Sequence, residues 1–481
     1  MEKKHVLVIG SGISGLTAAL LQARRGRSVV LVEKLPFIGG FLNRFSRQGH
    51  RFDTGLHFTG GFGHVLSEML ERLEMADAVL PAPISSDVLM ADSGLRLALP
   101  NAGLDTARET LASHFPAQAD AIAAYYAAEQ NVVNHTPIFN LDAFEPGDLF
   151  SMMTDFDTMT VDETLDSLGL HDPALRTILP IFSLCHGSPP DVTPFPYHCR
   201  CAYNMEANLT AVVHGGDAFI GAFKRELARH GAQIRTGTTV ESLRFDETAG
   251  VCTSARLSNG EEFEVESLHF AVHPAAYLSL FPDRLVPPRL RRRAQNLRPT
   301  CSFFTIYGYL DEGAPVSNNR LTFYMHRMEL NGPLHPGGQN YSTGIVTSVD
   351  SSNPHPTITA FRTIFADEFE KICGTPYEGY RSSPAYLEAK QALAASLEAD
   401  VLAAYPAYRG KLHIVEAGSP YTCRRFSPPI GSAYGTQQLM AVSRIAGRLP
   451  VQNCYALGHH AQFPGILGCM LGAFVQFLLD D

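Results

Sequence analysis

The first apolar run of the chain, residues 6–9, is short, uninterrupted and closed by glycine, the pattern of a strand buried on both faces. Helical spacing follows at Leu16, Ala19, Leu20 and Ala23, stops at Gly26, and gives way to a second apolar run at 29–32. Leu66, Met69, Leu70 and Leu73 repeat the helical period, and residues 106–179 read as mostly helical. There Thr160 and Glu163 predict a capping box ahead of Leu165 and Leu168. The loop HGSPPDVTPFP at 186–196 reads as a boundary. From 212 the pattern predicts a loop, a helix and two short strands, then an antiparallel ribbon through Leu257, Phe263 and Val265, then a buried strand at 268–274. Further strands are expected at 302–310 and 341–348, and a long helix at 386–404. A strand, a Gly-rich turn and an apolar helix close the chain at 456–479.

This order suggests a nucleotide-binding lobe interrupted twice. Residues 1–80, 205–290 and 430–481 would form it, and 81–204 with 291–429 a partly helical, substrate-binding cap. The fold class expected is α/β, a Rossmann-type domain with an interposed α+β domain.

The chemistry begins in the first turn. Gly10, Gly12 and Gly15 stand in GxGxxG spacing between strand and helix, and Glu33 closes the second strand. Gly10 permits the tight turn, Gly12 lets backbone approach a pyrophosphate, and Gly15 packs helix on strand. The pyrophosphate would lie at the helix N-terminus beside Ser11 and Ser14, with Glu33 accepting from an adenosine ribose and Lys34 next to it. A second glycine pair, Gly39-Gly40, and the segment FDTGLHFTGG at 52–61 suit a longer cofactor, and FAD fits that length.

Composition changes the picture only by exclusion. A net charge of −10 over 481 residues disfavours a nucleic-acid surface. No apolar stretch reaches the roughly 18–20 residues of a spanning helix. The first strand starts by His5, which leaves no room for a secretory leader, and nine scattered cysteines suit a reducing compartment, so a cytoplasmic enzyme is expected. Cys199 and Cys201, beside His198, lack the second ligand pair of a metal site, so no metal is expected. The run Arg289, Arg291, Arg292 and Arg293 reads as a solvated face, with peripheral contact to anionic lipid headgroups as its second reading.

These motifs resemble the phytoene desaturase-related flavoproteins, and most closely their carotenoid isomerase and retinol saturase branch. FDTGLHF, GSPPDV at 187–192, HGG at 214–216, TTVESL at 238–243, GSAYG at 431–435 and GILG at 465–468 carry the likeness over nearly the whole chain. Two departures, Phe41 in place of an arginine after the glycine pair and HHAQFPGILG in place of an HPGGG-like run, disfavour a carotenoid desaturase proper.

The resemblance implies a glutathione-reductase-like, two-dinucleotide-domain flavoprotein architecture. It implies that FAD is held by the first turn together with Phe41, Leu42, Gly55, His57, the backbone of Val240, Gly458, Gly465, Ile466, Leu467 and Gly468. It also implies that the last helix aims its N-terminus at the flavin, where the dipole favours an anionic reduced ring. His57, Tyr434 and His460, in that order, are the candidates for moving the proton that accompanies hydride transfer. His459 and His460 are adjacent, so an extended backbone would send them to opposite faces.

The expected substrate is a hydrophobic polyene or isoprenoid whose double bonds are saturated, isomerised or desaturated, with a lean toward the first two. A flavin amine oxidase, a polyketide-polyene reductase and a non-catalytic prenyl-protein escort are the rival readings. Only one GxGxxG is evident, so the electron donor or acceptor stays open among a quinone, a partner protein and dioxygen.

Overall fold

The structure, a computed structural model, describes residues 4–479 apart from 146, 149–151, 339, 428, 430, 441–444 and 462. Two large sheets organise it. The first runs in the order Gly447–Arg448, Cys454–Ala456, Glu262–Phe270, His5–Ile9, Val29–Val32, Gln233–Arg235. All neighbours except the short first strand are parallel. Ile9 aligns with both Val32 and Phe270, and Phe270 with Ala456, so four strands end level at one edge of the sheet.

Alternation along these strands separates two layers. Val6, Val8, Val29 and Leu31 face the helices Ile13–Arg24, Gly216–Arg229 and Gly465–Leu479, which bury Leu16, Leu20, Phe219, Phe223 and Phe474 against them. Leu7, Val30, Leu268 and Phe270 face the opposite way. There the outer half of Glu262–Phe270 pairs with Val251–Leu257, and that strand with Val240–Asp246, as an antiparallel ribbon.

The second sheet runs Leu412–Gly418, Ser302–Leu310, Thr357–Ile364, Ser342–Ser348, Asn319–Met325, Pro81–Met90, Arg96–Leu99. The helix Pro384–Ala404 covers one face through Leu397 and Val401, which pack with Ile306, Ile345 and Ile358. On the other face Val88, Leu321, Phe323 and Val346 meet a helical bundle that includes Leu104–His114, Ala119–Asn134 and Phe195–Asn208. Phe303, Thr305, Tyr307 and Phe361 roof a cavity between the two sheets.

Several expectations are corrected. Residues 106–179 are mostly helical as expected, but among the described residues the α-helix pauses between Asn134 and Val161, where a short 3-10 turn stands at Pro137–Phe139. The resumption is where the capping box forms, Thr160 Oγ1 accepting from Glu163 N at 3.2 Å and Glu163 accepting from Thr160 N at 2.8 Å. The 186–196 loop is not an exposed boundary. Its His186, Ser188 and Thr193 are buried, and Val161 N donates to Thr193 O, because the loop threads between helices of the bundle. Thr210–Val212, expected with the nucleotide lobe, pairs with Pro81–Pro83 at the edge of the second sheet.

Candidate functional site

A cavity of about 1060 Å³ lies outside the level carboxyl edge of the first sheet. That edge is where open α/β sheets bind ligands, because loops diverge there and the following helices present their N-termini. The volume is at the top of the roughly 300–1,000 Å³ range of single-ligand sites.

One end is the glycine turn. Gly10 has φ +94, and a Cβ there would meet Val272 at 2.7 Å. A Cβ on Gly15 would lie 1.9 Å from Gly10 O, so this position sits behind the turn and packs helix on strand without lining the cavity. Gly12 has nothing within 4 Å of such an atom; it opens directly on the cavity. A Cβ on Gly40 would stand 3.2 Å from Gly12 Cα, so this glycine closes the cradle. Glu33 accepts from Ser11 N at 2.9 Å and Ser11 Oγ at 2.7 Å on one oxygen, and from Leu35 N at 2.9 Å on the other. The acid thereby fixes the turn while still lining the cavity.

Ser11, Ser14, Lys34, Gly39, Phe41, Leu42, Gly55, Val240 and Gly458 all line the same space, as do Gly465, Ile466, Leu467 and Gly468 at the start of the last helix. Ser14 Oγ donates to Cys469 O at 3.0 Å, tying that helix to the first one. Pro428 and Ile430, in the segment before GSAYG, and Gln462 of HHAQFPGILG lie outside the described residues.

The other end is aromatic. His57 stacks on Phe361, with centroids 5.1 Å apart and planes at 15°, and Phe303 packs edge-on to both Phe361 and Tyr434. Burial pulls the His57 imidazole down to about 4 and pushes the Tyr434 phenol well above its usual range, so both are neutral near pH 7.

His459 and His460 do not diverge. They occupy a turn, not extended backbone, and their rings meet edge-to-face at 4.1 Å. His273, which sequence reasoning missed, stands 4.6 Å from His460 in the same geometry. Among the described residues, His460 Nδ1 and His273 Nε2 are buried without hydrogen-bond partners, and both residues line the cavity. Burial holds all three imidazoles below their ordinary range. The signal for His273 was its place three residues beyond a parallel strand, at the edge where ligands bind. Phe361 carried no such signal, since its strand went unread. Among the described residues no cluster of three or more His, Cys, Asp or Glu is arranged to hold a metal.

These features define a class of fold: a Rossmann-type dinucleotide-binding sheet facing a second sheet covered by helices. A family model described as an NAD(P)-binding Rossmann-like domain matches residues 8–73. The chain is 23% identical to human all-trans-retinol 13,14-reductase over 532 aligned residues, covering 98% of this chain and 85% of that one. It is 26% identical to the all-trans-zeta-carotene desaturase of Myxococcus xanthus, over 64% and 60% of the two chains. An oxidoreductase from Methanosarcina mazei shares the fold, with a TM-score of 0.68 at 14% identity over 99% of this chain and all of the other. These relatives carry the names of a retinoid reductase and a carotenoid desaturase, and the solved structure shares the fold.

The residues fit a flavin-type dinucleotide. The Gly10–Gly12–Gly40 cradle is open only where side chains are absent, and His273 and His460, each with one buried ring nitrogen that lacks a partner among the described residues, line the cavity beyond it. No helix among the described residues is long and apolar enough to cross a membrane.

Proposed function

We propose that the chain binds FAD and reduces or isomerises carbon–carbon double bonds of a hydrophobic polyene or isoprenoid. The observation that carries this reading is the single cavity running from the glycine turn to the chamber of Phe303, Phe361, Tyr434 and His57. The names of the retinol reductase and carotene desaturase relatives supply the substrate class.

FAD bound there would supply hydride transfer, which protein side chains cannot. Ser11, Gly12 and Ser14 would hold its pyrophosphate, Glu33 and Lys34 its ribose, and Val240 its adenine. The turns at Gly55 and Gly458 and the backbone of Ile466 to Gly468 would border the ring. Phe303 and Phe361 exclude water and press a planar polyene into place. Tyr434 keeps its proton throughout the neutral range, which makes it the better placed of the three candidates to deliver one to a substrate carbon. His57, neutral and stacked, suits a hydrogen-bonding or proton-accepting role. His460 with His273 and His459 would contact the cofactor.

The test is anaerobic. Oxidised and pre-reduced protein are incubated with a panel of polyenes, and the products are weighed and their geometry determined. A gain of two hydrogens from reduced protein, or unchanged mass with altered geometry, is expected. A loss of two from oxidised protein would reverse the direction. Protein purified without flavin and inert to every polyene would overturn the reading.

A further inference from the structure

The cavity is cationic although the chain is not. Six basic residues line it, Lys34, Arg47, Arg200, Arg381, Lys390 and Arg425, against two acids, Glu33 and Glu416, in a chain of net charge −10. Most of these charges have a structural assignment. Lys34, beside Glu33 at the dinucleotide turn, donates to Arg425 O at 3.3 Å. Arg200 donates to Thr136 Oγ1 and Met152 O. Arg47 and Lys390 share Glu416, at 3.0 and 3.2 Å.

Arg381 and Arg425 remain. Among the described residues neither has a carboxylate partner within ion-pair distance; Arg381 has only the Tyr380 hydroxyl at 3.5 Å. Both are exposed and line one small recess that adjoins the main cavity, with Tyr377, Tyr380, Ser382 and Glu378, whose carboxylate lies 3.9 Å from Arg424. The two guanidiniums therefore come from separate segments, 380–382 and Pro420–Phe426, to one rim. From there Tyr380, Tyr386 and the half-exposed Leu387 lead past Tyr307 and Thr305 to Phe303 and the His57 chamber. Tyr307 and Thr305 share one strand face with Phe303, at two-residue intervals. The passage is thus lined by aromatic and aliphatic side chains beside the mutually paired Arg47, Lys390 and Glu416, and two arginines outnumber the one acid, Glu378, at its mouth. Unpaired arginines, with planar forks that match carboxylate and phosphate oxygens, are the groups that recognise such anions.

We propose that Arg381 and Arg425 bind the anionic end group, carboxylate or phosphate, of a long apolar substrate whose double bonds lie between Phe303, Phe361 and Tyr434. This rests on the polyene reading above and narrows it to acidic polyenes.

The experiment measures binding, by flavin spectral change and ligand fluorescence, of all-trans-retinoic acid and all-trans-retinol to the flavin-loaded protein. At about 50 mM salt the acid binds roughly tenfold or more tighter than the alcohol, and about 500 mM salt collapses the difference. Arg381→Ala with Arg425→Ala removes the preference, and the loss falls on the acid alone. Arg381→Lys with Arg425→Lys keeps part of it, because the charge stays while the fork is lost. Retinyl phosphate, run in parallel, distinguishes a phosphate from a carboxylate end group. Equal binding of acid and alcohol, or a preference that the double variant leaves intact, overturns this inference while sparing the polyene reading. Failure of every retinoid to bind overturns both.

Discussion

Ser11 donates twice to a single carboxylate oxygen of Glu33, through its backbone nitrogen at 2.9 Å and its hydroxyl at 2.7 Å, while Leu35 N holds the other oxygen. One buried acid therefore fixes the glycine turn from the tip of the neighbouring strand. Glu33→Ala leaves three donors without their acceptor. The expected cost is about 1–3 kcal/mol in chemical denaturation, because buried donors lose the desolvation they had recovered. Bound flavin is expected to drop at least about tenfold, read from the visible absorbance of purified protein.

The glycines of the turn separate folding from cofactor binding. Gly12 has ordinary φ, −62°, and no atom near a notional Cβ, so Gly12→Ala should fold with unchanged denaturation midpoint. Its methyl would occupy the cavity side of the turn, and the purified protein should be colourless. Gly15→Ala drives a methyl into Gly10 O, parting helix from strand. A loss of about 3 kcal/mol or more is expected, at the upper end for overpacking, so both stability and flavin fall. Equal behaviour of the two variants would contradict this division.

How much was legible in the sequence follows from how local each signal was. The first sheet announces itself through glycine-closed apolar runs, since parallel strands buried on both faces leave no polar alternation to dilute them. Much of the second sheet stayed silent. In Thr357–Ile364 seven of eight positions are buried, threonines included, so neither alternation nor an apolar run marks it. Pro81–Met90 carries two prolines, which ordinarily argue against a strand; here they lie at its outer end, beside Thr210–Val212. Phe361 went unnoticed with its strand. The histidine pair failed for another reason. The side to which a side chain points depends on whether the backbone is extended, and residues 459–461, after Gly458, form a turn.

Buried histidines make the fold acid-sensitive. His198 is fully buried, bonded to His186 at 3.1 Å and Ser183 at 3.3 Å, and desolvation lowers it to about 3. Above about pH 6.5 the imidazole is neutral folded or unfolded, and nothing is lost. As pH falls from there toward 3, the unfolded chain takes up a proton that the folded chain refuses. Stability drops by about 1.4 kcal/mol per pH unit for this group alone. His198→Gln should lower stability at pH 7.5 through its lost hydrogen bonds, yet flatten the acid limb by about one proton. Urea midpoints at pH values from about 7.5 to 4.5 measure that slope, and an unchanged slope would assign the acid limb to other groups.

The proton-delivering residue is separable by pH and by substitution. Tyr434 and His57 share the aromatic chamber, but burial acts oppositely on them, keeping the phenol protonated and the imidazole deprotonated. A reduction needs a proton at the carbon next to the one that receives hydride. Between about pH 6 and 9 Tyr434 stays protonated, and a carbanion-like centre is basic enough to take that proton even though burial disfavours the phenolate left behind. Tyr434→Phe should therefore cut kcat by about 10²–10⁴-fold while flavin content and substrate affinity stay near wild type. The wild-type kcat profile should be flat across that pH range. His57→Asn should instead weaken substrate positioning through the lost Phe361 stack and change KM more than kcat. A pH limb near 6.5 that disappears in His57→Asn and survives in Tyr434→Phe would exchange the two roles.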